Sequence, residues 1–425
     1  MTALLAATGR TFSSLRTSRN YRLYFTGQVV TLCGGTWMQD TALPWLILQI
    51  TNSPTQVGLL VFCRYIPFTI FGLFAGALAD RFDNRRSLRA TQFASAVVAG
   101  ALAVSTFTTT RPWIFFVLAA LGGVAAVFEN SSRNALIFQL VGREQLSNAV
   151  ALGTGLANAA RVAGPAIAGV VIATLGSGWC FAINACAFVV GAMLLSRVHD
   201  LIPLDRSETQ RKTIAAIREG LAHTARTRRV KVILVLIAAI SVAGFNFRVL
   251  LPILADKTLD VGSEGLGMLW ALFGAGALGG ALMAAATGRG SVRRLIAGSG
   301  LFSLALLALA PMKTTVGAGI LLFAIGVSFT VLNAHGQMII QLGTPDRLRG
   351  RVISLYTFAF AGLAPIGGLL AGWLAGVGGT VLAFGVAGIV GLGATVFAGD
   401  RLHKIRITPR SEPLEVAARL PDPVD

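Results

Sequence analysis

The chain has 425 residues, of which 54% are hydrophobic and only 13% charged, and its mean hydropathy is +0.72. That balance excludes an ordinary water-soluble domain and reads as an all-α integral membrane protein. The 36 Lys and Arg against 18 Asp and Glu leave a net charge of +18, so nucleic acid has to be weighed as a partner by where the basic residues fall.

Twelve apolar runs have the length of a membrane-crossing helix, about 20 residues at 1.5 Å each. They are predicted over residues 24–50, 57–79, 88–108, 113–138, 148–175, 179–196, 230–255, 266–288, 295–311, 316–342, 352–375 and 380–398. Residues 1–198 form a first six-helix half and residues 230–400 a second. Residues 199–229 join them, and the stripe Ile214, Ile217, Leu221 predicts a short helix on the membrane surface. The tail, 401–425, is expected to be disordered.

Nearly all the basic residues fall in the loops on one side, whereas the opposite loops hold only Arg111, Lys257 and Lys313. This asymmetry predicts that both termini are cytoplasmic in a bacterial-type inner membrane. The charge therefore reports topology and anionic lipid, and nucleic acid is not expected as a partner. No cleaved signal peptide is expected, because the first apolar run is too long and lacks a small-residue cleavage site. Cys33, Cys63, Cys180 and Cys186 lie within spans without metal-ligand spacing and read as packing residues. No metal and no cofactor is expected. The chain also lacks Gly-x-Ser-x-Gly and the phosphate-loop pattern, so it reads as neither a hydrolase nor an ATP-driven machine.

Charges inside spans cost about 2.5–3.5 kcal/mol each at a helix centre, so each marks a pathway or a pair. In span 1, Trp37-x-x-Asp40-x-x-x-Pro44 places a carboxylate four residues before a proline. The carbonyl of Asp40 loses its helical partner there, and a kink is predicted. Arg64 in span 2 stands at the same distance from Asn52 as Asp40 does, so the two are expected at one depth. In span 4, Glu129 shares a small-residue face with Gly122, Ala125, Ala126 and Ser132. It can pair with Arg161 of span 5, level with it, or with Arg133 one turn on. Span 7 repeats the first construction with opposite charge, Phe245-Asn246-x-Arg248-x-x-x-Pro252. Spans 10 and 5 add Asn333, His335 and the packing sequence Gly164-Pro165-x-x-x-Gly169. His335 reads as a titrating group or as a packing histidine. Trp37, Pro44, Phe245, Asn246, Pro252 and Asn333 are candidate cavity-lining residues. The embedded ion pairs have two readings, structural ties or carboxylates that exchange an arginine for a proton.

Between spans 2 and 3 runs Gly76-Ala-Leu-Ala-Asp80-Arg81-Phe-Asp-Asn-Arg85-Arg86, five charges in a tight link. A worn copy without the acid, Gly280-Ala-Leu-Met-Ala-Ala-Ala-Thr-Gly-Arg289, returns 204 residues later. With Gly35-Thr-Trp37, Leu43-Pro44-Trp45, Arg161-Val-Ala-Gly164-Pro165 and Leu348-Arg349-Gly350-Arg351, these motifs resemble the major facilitator superfamily, in the branch of enterobactin exporters and macrolide efflux pumps. The resemblance implies two pseudo-symmetric six-helix halves with a substrate site between them, and a monomer is expected. It also implies secondary active transport, usually proton-driven export of a drug, siderophore or similar small organic molecule, with Gly76, Asp80, Arg81, Arg85 and Arg86 latching the cytoplasmic side. An importer, a carrier of lipid-like substrates and a non-transporting sensor are the alternatives. The gate expected from the residues alone is Asp40 with Arg248, Arg64 being the other partner open to the carboxylate.

Overall fold

The computed structural model describes residues 13–79, 83–199, 201–202, 219, 221–222, 224–288 and 290–407. Asp80 and Arg81 of the basic turn, Ile214 and Ile217 of the linker stripe and the tail from 408 onward lie outside the described residues.

Local sequence sets the helix ends. The Ser18 side chain accepts from the Tyr21 N–H and opens α1, residues 19–51. Asn52 closes it in the left-handed region at φ 52°. After α2 (Pro54–Ala79), Asp83 caps α3 (Asn84–Thr108) by accepting from the Arg86 N–H at 2.9 Å. Then follow α4 (residues 112–141), α5 (143–174), α6 (Ser177–Ser196), α7 (Arg228–Thr258), α8 (Gly262–Thr287), α9 (Val292–Leu309), α10 (Thr315–Leu342), α11 (346–377) and α12 (380–407). Among the described residues nine helices are long and apolar enough to cross a membrane, and there is no strand. Two of the nine are double. Gly142, at φ 68°, separates α4 from α5, and Gly379, at φ 66°, separates α11 from α12. The nine omit α1, which is less apolar than the others because Gln28, Gln39, Asp40 and Gln49 fall within it.

Those widened turns differ from the expectation. The sequence predicts kinks at Pro44 and Pro252, but Pro44 sits inside a continuous helix, Trp37–Thr51. The departures from α geometry lie about two turns earlier, at Leu32–Thr36 and at Ile240–Gly244 followed by non-helical Phe245 and Asn246, and in α7 a further widened turn, Leu254–Thr258, begins two residues after Pro252. Glycine explains the displacement. A Cβ on Gly35 would stand 2.7 Å from the Asn184 side chain, and one on Gly244 2.8 Å from Phe302, so the backbone yields where a neighbouring helix presses on it.

One apolar core runs through both halves, and a smaller one gathers Tyr21, Tyr24, Leu88, Leu136 and Leu195. Many large apolar side chains face outward, Val316 at 76% and Val396 at 71% exposed among them. Lipid is the solvent that matches such a surface.

The halves meet along α2 with α11, α5 with α8, and α1 with α7. At one end they touch backbone to backbone. A Cβ on Gly58 would lie 2.7 Å from the Gly368 carbonyl and 3.0 Å from the Gly372 Cα. On the other flank, one on Gly169 would lie 2.7 Å from the Ser263 carbonyl and 3.0 Å from the Gly267 Cα. Gln49 donates to Asp256 at 2.8 Å, and Lys257 donates to Asn52. Toward the opposite end the approach relaxes: a Cβ on Gly72, Gly153, Gly155 or Gly350 would meet nothing within 4 Å. We call the first of these the tight end. The other, carrying Arg85, Arg86, Arg143, Arg197, Arg228, Arg293 and Arg349, is the basic end.

Candidate functional site: a charged junction above an aromatic cavity

Asp40 of α1 lies where the halves join. Its Oδ2 accepts from Arg248 Nε of α7 at 3.2 Å and from the Tyr65 hydroxyl of α2 at 3.1 Å, while Arg64 Nε stands 3.8 Å from Oδ1. The carboxylate is thus shared between an arginine of its own half and one of the other half. Its side chain is only 9% exposed, so its charge is held by these partners rather than by water. Trp37, one turn before Asp40, has the Arg161 guanidinium 5.2 Å from its ring centroid and that of Arg248 at 5.3 Å. Arg248 also stands 5.1 Å from the Tyr65 ring. The negative faces of these rings soften the repulsion between two arginines.

Beside this junction is a cavity of about 430 Å³. Trp37, Tyr65, Arg161, Phe245, Asn246 and Arg248 line one part, and Asn333 lines another with Thr330 and Gln337, all three on one face of α10. Phe245 stacks on Phe329 at 4.2 Å and lies 5.2 Å from Phe360, giving the cavity a flat aromatic wall. The break in α7 is what turns Phe245 and Asn246 inward. Asn246 donates back to the Val242 carbonyl at 2.8 Å, and Tyr356 donates to the Asn333 carbonyl at 3.1 Å.

Glu129 is elsewhere. It pairs with Arg133 at 2.5 Å, one turn on in α4, and not with Arg161. The two expected partners lie on different faces: Glu129 lines a separate pocket of about 230 Å³ inside the first half, whereas Arg161 lines the cavity between halves. Arg64, Arg133, Gln39 and Asn184 line the same pocket, and a Cβ on Gly122 would lie 3.2 Å from Arg64 Nη1. The small face of α4 makes room for that guanidinium. His335 is buried against α8 and α9, where it lines an apolar hollow with Arg294, Ser328 and Met283, apart from Asp40. Pro44 and Pro252 are buried in their helices and do not line the cavity.

The packing sequence of α5 has two uses. A Cβ on Gly164 would stand 2.5 Å from the Trp37 Cβ, so this glycine lets α5 reach α1 and sets the tryptophan's position. Gly169 does the same for α8 across the halves. Arg85 of the basic turn donates to the last carbonyls of α6, Leu195 at 3.3 Å and Ser196 at 2.6 Å, capping that helix within its own half. Arg86 is exposed and Gly76 lies within α2.

Reading the sequence missed Tyr65, whose hydroxyl completes the Asp40 site, and the cavity residues Trp270, Phe273, Phe329, Tyr356 and Phe360. Tyr65 had a usable signal: a phenol O–H inside a lipid-spanning run requires a partner, and the next residue back is Arg64.

Residues 10–423 match the family described as transmembrane secretion effector. The staphyloferrin A transporter of Staphylococcus aureus is 28% identical over 373 residues, covering 86% of this chain and 92% of that one. The multidrug efflux pump Tap of Mycobacterium tuberculosis is 25% identical over 396 residues, covering 89% of this chain and 93% of that one. Among solved structures a D-xylose-proton symporter superposes with a TM-score of 0.69 at 14% identity, covering 89% of this chain and 96% of that one. A junction of unlike charges between two packed helix bundles, above a cavity with no catalytic group, fits that company, and the chain belongs to the transmembrane secretion effector family of major facilitator superfamily transporters.

Proposed function

We propose that the chain works by alternating access in a cytoplasmic membrane, exporting a small organic molecule in exchange for protons. The excess of Lys and Arg at the basic end supports a cytoplasmic position for that end. The tight end then faces outward, and the geometry corresponds to a cavity shut from outside. The observation that carries the reading is the sharing of Asp40: Arg248 holds it from across the halves at 3.2 Å, and Arg64 stands ready within its own half at 3.8 Å. A proton on Asp40 removes the attraction that ties α1 to α7, and the tight end is then free to part. Loss of that proton, with Arg64 as partner, resets the carboxylate. A charge left unpaired in this setting costs several kcal/mol, so opening without protonation is suppressed.

Relatives support this reading, since one is named as a transporter of staphyloferrin A and another as a multidrug efflux pump. Membrane vesicles with an imposed pH gradient provide the test, using a substrate found by screening dyes, antibiotics and siderophores against cells overexpressing the protein. Asp40→Asn is expected to bind and exchange substrate but to lose uphill accumulation. Full concentrative transport in that variant removes Asp40 from the coupling. Glu129 is then the next carboxylate, because Arg64 lines its pocket as well as pairing with Asp40.

A further inference from the structure

We infer that the substrate is an organic anion: a carboxylate-bearing molecule with a flat aromatic or similarly rigid apolar body. This rests on the proposed transport function and names the chemistry its cavity selects.

The charges of the cavity do not balance. Of the side chains lining it, Arg161 and Arg248 are cationic and none is acidic. Arg248 is matched by Asp40 at 3.2 Å. Arg161 has no carboxylate or hydrogen-bond partner among the described residues. Its guanidinium meets the ring of Trp37, which it shares with the other arginine. Glu129, the carboxylate expected from the sequence to pair with it, is committed to Arg133 at 2.5 Å. An uncompensated guanidinium in a lipid-spanning bundle is expensive, and it is retained where a ligand brings the opposite charge. Arginine's planar fork suits a carboxylate held by two parallel hydrogen bonds.

A second observation points the same way. Trp270 lines this cavity, and its indole nitrogen is buried without a partner. Indole N–H only donates, so it too awaits an acceptor. The rest of the ligand is specified by the opposite wall. Phe245 stacked on Phe329 at 4.2 Å, with Phe360 beside them, offers flat apolar faces. The space, about 430 Å³, suits a molecule of several rings. A cationic solute would find no carboxylate lining this space and one guanidinium already unmatched.

The test is binding, measured without flux. The full chain in lipid nanodiscs is titrated with three naphthalenes of matched size: 2-naphthoate, its neutral amide 2-naphthamide, and the cation 2-naphthylmethylammonium. Affinities are read by calorimetry and by quenching of tryptophan fluorescence. The carboxylate is expected to bind tightest, at least about tenfold ahead of the cation. Arg161→Gln should cancel that lead while keeping the amide within about twofold of its starting affinity, and Arg161→Lys should restore part of it. A carboxylate that binds no better than the cation, whether both bind or neither does, overturns the inference. So does a lead that survives Arg161→Gln intact. Failure of the transport function has a different signature: charge preference in binding with no gradient-driven flux of any solute.

Discussion

Asp40 and Glu129 are both carboxylates buried in the first half, yet their partners give them different work. Asp40 is held by residues from two other helices, one in each half, whereas Glu129 is held by the arginine one turn along its own helix. An i,i+4 pair inside a pocket is chiefly a matter of stability. Removing its acid strands a cation whose side chain is 24% exposed, so Glu129→Gln is expected to cost about 2–4 kcal/mol, somewhat less than the fully buried case. Replacing both partners, Glu129→Leu with Arg133→Met, should cost less than the single change. Thermal unfolding of the three proteins in detergent checks this. If the single change is harmless and the double is severe, Glu129 is not a structural partner of Arg133. Much of the residue-level site is legible in advance, because a charge in a lipid-spanning run is conspicuous. Asp40, Arg64 and Arg248 are found together, and counting depth along the helices brings two of them level. Depth cannot tell which face a side chain takes, and Arg161 and Glu129, expected level, point into different spaces.

At the scale of the helix, small residues decide where backbones may meet. Gly169 and Gly267 bring α5 against α8, and Gly58 and Gly372 bring α2 against α11, both at the tight end. Gly169→Val inserts branched carbons where 2.7 Å of room separates a Cβ from the Ser263 carbonyl. Overpacking of that kind costs about 1–3 kcal/mol. The tight end bears it, so the equilibrium is expected to move toward the state open on that side. Modification of a cysteine placed at Gln49 by a membrane-impermeant thiol reagent reads the shift. Gly153→Val is the control, since a Cβ there meets nothing within 4 Å and labelling should stay as it was. Helix positions are legible because an apolar run long enough to cross lipid has few other fates. The widened turns at Leu32–Thr36 and Ile240–Gly244 are not. Proline announces itself in a sequence, whereas a backbone that yields to a neighbouring helix depends on packing between residues far apart in the chain.

In the proposed alternating-access cycle the whole molecule exchanges which end its halves close, and the Asp40–Arg248 contact is one contribution to that balance. Asp40→Arg or Arg248→Asp alone sets like charges across a 3.2 Å contact and should abolish bridging of cysteines at Gln49 and Asp256 by a short bifunctional reagent. These cysteines are placed in a chain from which the 4 native ones have been removed. The double reversal restores the attraction between halves and should recover most of the bridging, although Arg64 then opposes the new cation on α1. No recovery would mean that the contact contributes nothing to closure. The two residues stand 208 positions apart, the same interval that separates the widened turn of α1 from the first of the two in α7. Each therefore meets its own counterpart, and a place where counterparts meet lies on the approximate two-fold axis between the halves. Two identical six-helix chains paired about such an axis would bring a side chain against its own copy there, aspartate on aspartate or arginine on arginine. Attraction at the centre of symmetry is open only to a molecule whose two sides have been joined and allowed to differ.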